Sequence, residues 1–261
     1  MSNPPSAAAT EIKQPLQINT IEPGAIGAAF AAGWRDFVSN PAIGLVFGLL
    51  FAFGGALVVG LVFWSGYFFL AYPTAAGFTL LGPFSVIAVY EVSRQTEQGL
   101  KPKWREVIST VFRKNARRLG WMPVITLFGF ILWIDVAAII YALFFGLKVP
   151  DFWTMVREIF TTMNGFTFFA IGNLVGAVFA AVLYSISVIA YPLLADRDVD
   201  PITAIATSVR AVKSSPGAHL TYALAIVFLV SIGVATAFIG LIVVLPLLGH
   251  TTWHIYRKSV Q

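Results

Sequence analysis

The sequence predicts an all-α, polytopic membrane protein with six transmembrane helices and further amphipathic helices at the membrane surface. Two features of composition carry this prediction: 58% of the 261 residues are hydrophobic and only 11% are charged, whereas a water-soluble domain has about 45–50% apolar and about 25% charged residues. The third observation is that the few charges are confined to short stretches between long apolar runs. A water-soluble fold of this length could not hide so much apolar surface.

The first 22 residues differ from the rest of the chain. They are rich in Ala, Ser, Thr and Pro, and they lack the charged start and apolar core of a signal peptide. We therefore expect residues 1–22 to form a disordered cytoplasmic tail. Residues 23–258 are expected to form a single membrane domain.

Charge-poor stretches supply the six predicted helices. Residues 41–90 contain 50 positions without a charged side chain, and residues 214–256 contain 43. Because one crossing takes about 20 residues, each of these stretches is long enough for two helices. Residues 119–147 and 166–194 predict one crossing each. A charged side chain costs about 2.5–3.5 kcal/mol at the centre of a membrane helix, which is why these runs are informative.

The basic residues predict the orientation of the helices. Of the 17 Lys and Arg residues, all except Lys148 and Arg157 fall on one side of the six predicted crossings. The positive-inside rule then predicts that both termini are in the cytoplasm. The net charge of +5 is thus mainly a topology signal. We expect no nucleic-acid partner, because these cations adjoin the bilayer without single-strand stacking motifs.

The order of segments predicts three parallel repeats, over residues 23–98, 101–198 and 199–258. Each unit runs as an amphipathic segment, a helix stop and two crossings, although any six-helix protein with basic connectors could be divided into hairpins in this way. The amphipathic segments are expected to lie in the headgroup plane with their apolar faces towards the lipid bilayer and their cations attracted to anionic lipid headgroups. The three apolar stripes are Ile26, Phe30, Trp34 and Phe37; Trp104, Ile108, Val111 and Phe112; and Ile202, Ile205, Val209 and Val212.

Small residues recur every four positions in the first predicted crossing. This spacing favours close packing against another helix, and homodimerisation through the same face is the alternative interpretation. The stripe consists of Gly44, Gly48, Ala52, Ala56 and Gly60.

Asp135 is the one acidic residue well inside a predicted crossing, which makes it a candidate intramembrane polar site together with Asn173. One interpretation is a proton or cation pathway. The other is a structural, mostly neutral acid that is hydrogen-bonded by neighbouring helices, since burial favours the protonated form. The nearest polar candidates for such bonds are Asn173, Ser185, Ser187 and Ser231.

The three histidines form the second candidate site. His250 and His254 are four residues apart and can share one helix face, and His219 is expected at a similar level. Such a group could bind a metal ion or haem, although histidines beside aromatic and basic residues also serve as interfacial anchors. The chain has no cysteine and no nucleotide-binding or hydrolase motif, so we expect neither an enzyme nor a cofactor.

Several short motifs give the chain a family resemblance over residues 24–258. It resembles a widespread prokaryotic family described as predicted integral membrane proteins with a domain of unknown function. Some members of that family are labelled cytochrome c oxidase subunits. This chain has too few histidines for the haem–copper catalytic subunit, so the label would imply an accessory or assembly role. The motifs are Gly33-Trp34, Tyr72-Pro73, Gly77-Phe78, Leu81-Gly82-Pro83, Tyr90-Glu91, Ser93-Arg94, the run from Tyr191 to Asp200 and the run from Leu245 to Arg257.

These observations favour a non-catalytic inner-membrane protein that is an accessory, assembly or scaffolding partner of a membrane complex. Its partner would be another membrane protein or a second copy of the chain. One alternative is a small transporter or channel that uses Asp135 and the prolines of the second crossing, Pro73 and Pro83. The other is a haem or metal protein that binds through His250 and His254.

Overall fold

The computed structural model describes residues 16–111 and 116–261, and regular structure in these ranges is helical. Fourteen α-helices are described, together with one 3₁₀ turn at Phe68–Leu70. The helices are α1 (Gly24–Ser39), α2 (Pro41–Trp64), α3 (Ala71–Thr79), α4 (Gly82–Ser85), α5 (Ile87–Glu97), α6 (Trp104–Ser109), α7 (Ala116–Leu119), α8 (Met122–Phe145), α9 (Phe152–Thr161), α10 (Met163–Ser187), α11 (Ala190–Asp196), α12 (Pro201–Ser214), α13 (Pro216–Ala235) and α14 (Leu241–Ser259).

Four helical segments are long and apolar enough to cross a membrane. Three of them, α2, α8 and α13, begin with proline in the first turn, where its missing N–H and fixed φ cost nothing. The fourth combines α10 and α11. All four expose large apolar side chains on their outer faces, as lipid contact requires. Examples are Phe53, Phe128, Leu174 and Phe228.

The other two predicted crossings are not single apolar helices. The second is divided into α3, α4 and α5, and Pro83 in the first turn of α4 could not donate the backbone hydrogen bond that a helix continuing from α3 would need. The sixth corresponds to α14, which contains Pro246 and continues into a polar half around His250 and His254. Six crossings and a threefold repeat are therefore not confirmed, whereas an all-helical protein with several apolar helices is.

Helix α14 is surrounded by other helices. It contacts α1 and α2 most extensively, and it also contacts α5, α11 and α13. The stripe of small residues on α2 makes this possible, because Gly44 lies against Pro246 and Gly48 lies against the backbone of Ile242. The predicted close packing is confirmed. Since α14 covers the first part of the stripe, that part is not free to form a homodimer.

The amphipathic helices also pack against the protein. On α1, Ile26 and Phe37 of the predicted stripe are buried against neighbouring helices, whereas Trp34 is exposed. The buried face of α12 consists of Ala and hydroxyl residues, and its predicted stripe residue Ile202 is exposed. The position Phe112 lies outside the described residues. The apolar face of α1 is therefore directed mainly to α14, which differs from the expected orientation towards lipid.

Residues 17–19 pair with residues 259–261. Ile18 forms an isolated antiparallel bridge with Val260, the amide of Asn19 donates to the carbonyl of Ser259 at 3.0 Å, and the amide of Gln261 donates to the carbonyl of Gln17 at 3.1 Å. The disordered tail predicted for residues 1–22 thus does not extend over this paired segment. Residues 1–15 lie outside the described residues.

Candidate functional site

Asp135 lies on the outer face of α8. The buried residues Trp133, Ala137 and Ile140 direct the opposite face of this helix towards the protein, while Asp135 is exposed. Its carboxyl group forms no hydrogen bond or ion pair within the described ranges. The prediction that neighbouring helices would satisfy Asp135 is therefore not supported by its contacts in this chain.

Asn173, the other candidate for an intramembrane polar site, is engaged elsewhere. Its side-chain oxygen accepts a hydrogen bond from the Tyr72 hydroxyl at 2.8 Å, and its amide donates to the carbonyl of Phe169 at 2.8 Å. Ser185 and Ser187 donate to backbone carbonyls of their own helix. The structure thus places these side chains in local bonds and joins none of them to Asp135.

His250 and His254 meet Asp36 and Ser93, and these four residues are called the Asp36 cluster below. Ser93 Oγ lies 2.7 Å from Asp36 Oδ2 and 2.7 Å from His250 Nδ1, and His254 Nε2 lies 2.9 Å from Asp36 Oδ2. Helix α1 provides Asp36, α5 provides Ser93 and α14 provides both histidines. The cluster therefore joins three helices that are distant in sequence.

Burial and hydrogen bonding set the charges of the Asp36 cluster. Burial acts to raise the pKa of Asp36, but hydrogen bonds from His254 and Ser93 outweigh it and hold the pKa below the ordinary value. Burial lowers the pKa of His250 to about 4. At neutral pH, Asp36 is thus a carboxylate beside a neutral His250. A consistent proton arrangement has His250 Nδ1 donating to Ser93 Oγ, and Ser93 donating to Asp36.

The Asp36 cluster contains the residue types of a serine hydrolase but not their arrangement. In a catalytic triad the carboxylate bonds the histidine nitrogen that faces away from the serine. Here Asp36 accepts a hydrogen bond from the Ser93 hydroxyl itself, and Ser93 is completely buried. A substrate could not reach this hydroxyl in the described arrangement. The geometry is that of a buried hydrogen-bond network that connects helices.

His219 lies in a different place from the other histidines. Its Nδ1 is 2.9 Å from the Tyr184 hydroxyl, so it joins α13 to α10, and its Nε2 is buried without a hydrogen-bond partner. Within residues 16–111 and 116–261, no group of three or more His, Asp or Glu side chains is positioned to hold a metal ion. Of the three histidines of the predicted site, the structure thus brings His250 and His254 together and places His219 elsewhere.

A small cavity lies where α5 and α11 meet the segment that leads into α8. It has a volume of about 180 Å³ and is called the arginine cavity below. No sequence motif predicts this cavity, because its residues come from separate segments and the cations alone indicate only topology and attraction to anionic lipid. The Glu91 to Arg94 spacing, three residues apart on a helix, was the one local signal of paired side chains. The lining residues are Glu91, Arg94, Thr110, Arg118, Ala195 and Asp196.

Ion pairs fasten α14 to the helices beside this cavity. Arg257 Nε lies 3.0 Å from Glu97 Oε1, and Arg257 Nη1 lies 3.5 Å from Asp196 Oδ2. The Tyr256 hydroxyl donates to Asp196 at 2.7 Å. Through these contacts the end of α14 is held to both α5 and α11.

Comparison with known proteins shows that the middle of the chain is similar to one family of membrane proteins. No curated protein and no solved structure is significantly similar to this chain. One family model matches residues 71–196, a stretch that contains Ser93, Asp135 and every lining residue of the arginine cavity but not Asp36, His250 or His254. Residues 71–196 match the family model described as predicted integral membrane protein (DUF2189), a family of unknown function, which confirms the predicted resemblance over this part of the chain.

Proposed function

We propose that this protein is a non-catalytic accessory or assembly subunit, and that it joins a membrane complex through the outer face of α8. The observation that carries the proposal is the position of Asp135 on that face. Asp135 is the fourteenth of 24 residues of α8, close to the middle of a segment that is long enough to cross the membrane.

An unpaired carboxyl group at this depth is costly. The surrounding outer face is apolar and exposed, with Phe128, Ile131 and Ile139 one or two turns from Asp135. At the centre of a membrane helix a charged acid costs about 2.5–3.5 kcal/mol, and acids there ordinarily face other helices or water. A partner helix packed on this face would remove Asp135 from lipid and supply the missing hydrogen bonds.

The chemistry of Asp135 indicates what the partner carries. A carboxylate in an apolar interface is best matched by a Lys, an Arg or a side-chain amide of the facing helix. The four candidate crossings of this chain contain no Lys or Arg, and the amide of Asn173 already bonds Tyr72 and the Phe169 carbonyl, so a second copy offers neither a cation nor a free amide of this residue. We therefore propose a different membrane protein, with a basic or amide side chain in one membrane helix, as the occupant of this face.

The experiment uses photo-crosslinking in native membranes. A photoreactive amino acid replaces Ile131 or Ile139 on α8, and in matched controls it replaces Phe53 or Leu57, which are equally exposed on α2. We expect one discrete adduct from the α8 positions and none from the α2 positions. The adduct should disappear when Asp135→Leu is added, and mass spectrometry should locate the crosslink on a membrane helix that contains Lys, Arg, Asn or Gln.

Three results would overturn this docking site. The first is the absence of an adduct at both α8 positions. The second is an adduct that survives Asp135→Leu, which would show that the carboxyl group does not matter. The third is a crosslink to a second copy of the chain, which single-cysteine variants at Ile131 and Ile139 would detect independently because the natural chain has no cysteine.

The alternatives from the sequence have less support. A transport pathway through Asp135 would require this side chain to face a route between helices, whereas it lies on the outer face. Haem or metal binding would have to use the other ring nitrogens, Nε2 of His250 and Nδ1 of His254, because His250 Nδ1 bonds Ser93 and His254 Nε2 bonds Asp36. No contact of the described residues specifically favours either function.

The proposed location is the inner membrane of a prokaryotic cell, with six crossings and both termini in the cytoplasm. One additional crossing would use the apolar stretch 71–89, and the other would involve α14, whose apolar part 241–249 is by itself shorter than the roughly 20 residues of a crossing. Three units of amphipathic helix and proline-led crossing support the repeat.

The variants Ser65→Cys and Leu100→Cys test the additional crossing between these two positions. With six crossings the two cysteines lie on opposite sides of the membrane, so a maleimide that cannot cross the membrane labels only one of them in intact cells. With four crossings both cysteines lie on the same side and are labelled alike.

A further inference from the structure

The arginine cavity contains more hydrogen-bond donors than the protein uses. We infer that it is a binding site for a phosphate group, and that the phosphate of an anionic lipid is its natural source. The inference depends on the state of each polar group that lines the cavity. It does not depend on the docking role of Asp135, which is about 20 Å along α8 from the first residue of that helix.

The two carboxylates of the cavity are already neutralised by the protein. Both oxygens of Glu91 accept bonds from Arg94, at 2.8 Å from Nε and 2.7 Å from Nη2, and Gln95 donates a third bond at 2.6 Å. Asp196 accepts from the Tyr256 hydroxyl and lies within ion-pair distance of Arg257 and Arg197. Neither acid is therefore available to neutralise a further cation.

The remaining donors have no acceptor of matching strength. Arg94 uses Nε and Nη2 for Glu91, so that Nη1 is left without a bond in the described ranges. Arg118 has only a long contact of 3.4 Å from Nη1 to the backbone oxygen of Asp196, and it pairs with no carboxylate of the described residues. The Thr110 hydroxyl has no described side-chain bond either. Two guanidinium groups and a hydroxyl are the donors that phosphate oxygens prefer.

The size and position of the cavity narrow the choice of ligand. Its volume of about 180 Å³ is below the roughly 300–1,000 Å³ of pockets that enclose drug-sized molecules, and it suits a single phosphate group. Asp196 is the last residue of one candidate crossing, and Arg118 lies four residues before another begins. The cavity is thus at the membrane boundary, where lipid phosphates are concentrated.

The test measures binding to the full chain with two defined probes. In one arm, native mass spectrometry counts the phosphatidylglycerol molecules that the protein retains from phosphatidylcholine nanodiscs with increasing phosphatidylglycerol content. In the other arm, calorimetry measures binding of inorganic phosphate to the detergent-purified protein. We expect one saturable phosphatidylglycerol site. Saturable binding of inorganic phosphate alone would also support a phosphate site but would assign it to a soluble ligand.

The variants distinguish binding in the cavity from nonspecific electrostatic attraction of anions to the protein. Arg118→Gln should weaken binding about tenfold, while Arg105→Gln, which removes an exposed cation of α6 outside the cavity, should leave it unchanged. Thr110→Val removes a donor without removing charge and should weaken binding severalfold, which provides a second test if Arg118→Gln does not fold. Equal losses from Arg118→Gln and Arg105→Gln, or no saturable binding of either probe, would overturn the inference.

Discussion

Helix α8 carries its one acid on the face that points away from the other helices, whereas α14 directs its polar side chains inwards. On α14, His250 meets Ser93, and Thr252 lies 2.6 Å from the buried Tyr222 hydroxyl. On α8, Asp135 has no such contact in the described structure. In the described structure, these polar side chains of α14 are thus bonded to other helices, whereas the acid of α8 is not.

The difference follows from what surrounds each helix. Helix α14 contacts five other helices, so each polar group on it can find a partner, and Asp36 and Ser93 supply partners for its histidines. Helix α8 packs mainly against α3 and α10 and leaves the rest of its surface exposed. The contrast between the bonded polar groups of α14 and the unbonded acid on α8 is the observation behind the proposed docking site.

The largest expected effect concerns one aromatic side chain on each helix. Trp253 on α14 is almost fully buried, packs edge-on against Tyr256 and donates to Glu97, whereas Phe128 on α8 is 63% exposed. We expect Trp253→Ala to reduce the free energy of unfolding by about 3–5 kcal/mol, and Phe128→Ala by less than about 1 kcal/mol. Denaturant unfolding of both variants in one detergent measures this. Equal losses would contradict the assignment of inner and outer faces.

A smaller effect is expected from one methyl group at the contact between α2 and α14. A Cβ atom on Gly48 would collide with the backbone of Ile242, whereas a Cβ on Gly60 meets nothing within 4 Å. Gly48→Ala should therefore destabilise the protein by about 1–3 kcal/mol. Gly60→Ala, on the same helix, should leave stability unchanged or slightly raised, because alanine has the higher helix propensity. If both variants unfold alike, α14 does not pack against this stripe.

Lowering the pH should lower the unfolding temperature by a few degrees, because it destabilises the packing of α14. The pKa of His250 is lowered from 6.5 to about 4, so the unfolded chain takes up a proton before the folded protein does. Stability from this residue is complete above pH 6.5 and decreases as the pH falls towards 4. The lowered pKa of Asp36 adds a further loss below its ordinary value of 3.8.

The variant His250→Asn isolates this contribution. An asparagine amide can still donate to Ser93, but it does not titrate in this range. Thermal unfolding of His250→Asn between pH 7 and 4.5 should therefore change less than that of the natural chain. An unchanged pH profile would show that His250 is not responsible for the loss.

The sequence predicted the apolar helices well and the continuity of two segments poorly. Runs without charge located α2, α8, α10 and α13, because exclusion of charge is a property of each residue along the chain. The break between α3 and α5 depends on the missing N–H of Pro83 and on how the chain then packs. The depth of α14 depends on the surrounding helices. A hydropathy profile includes neither the effect of Pro83 on the backbone nor the packing around α14.

The candidate sites show the same division between local and distant information. The spacing of His250 and His254 predicted that they share one helix face, and both do lie within 4.0 Å of Asp36. Their partner Asp36, however, is 218 residues away from His254, and a single sequence carries no signal for such a pair. The exposure of Asp135 was equally hidden, since the sequence gives the depth of a residue in a helix but not the direction it faces.

The smallest expected effect is that of Asp135→Leu on the isolated chain. Asp135 has no described hydrogen bond to lose, and a leucine suits the apolar outer face of α8, so the free energy of unfolding in detergent should change by less than about 0.5 kcal/mol. The matched change on α14 is Thr252→Val, which removes the hydroxyl that contacts Tyr222 and should cost about 1 kcal/mol or more. If Asp135→Leu is as destabilising as Thr252→Val, Asp135 is held within this chain, and the contrast between α8 and α14 does not hold. If only Thr252→Val destabilises, the role of Asp135 lies outside the fold, where the crosslinking experiment can identify it.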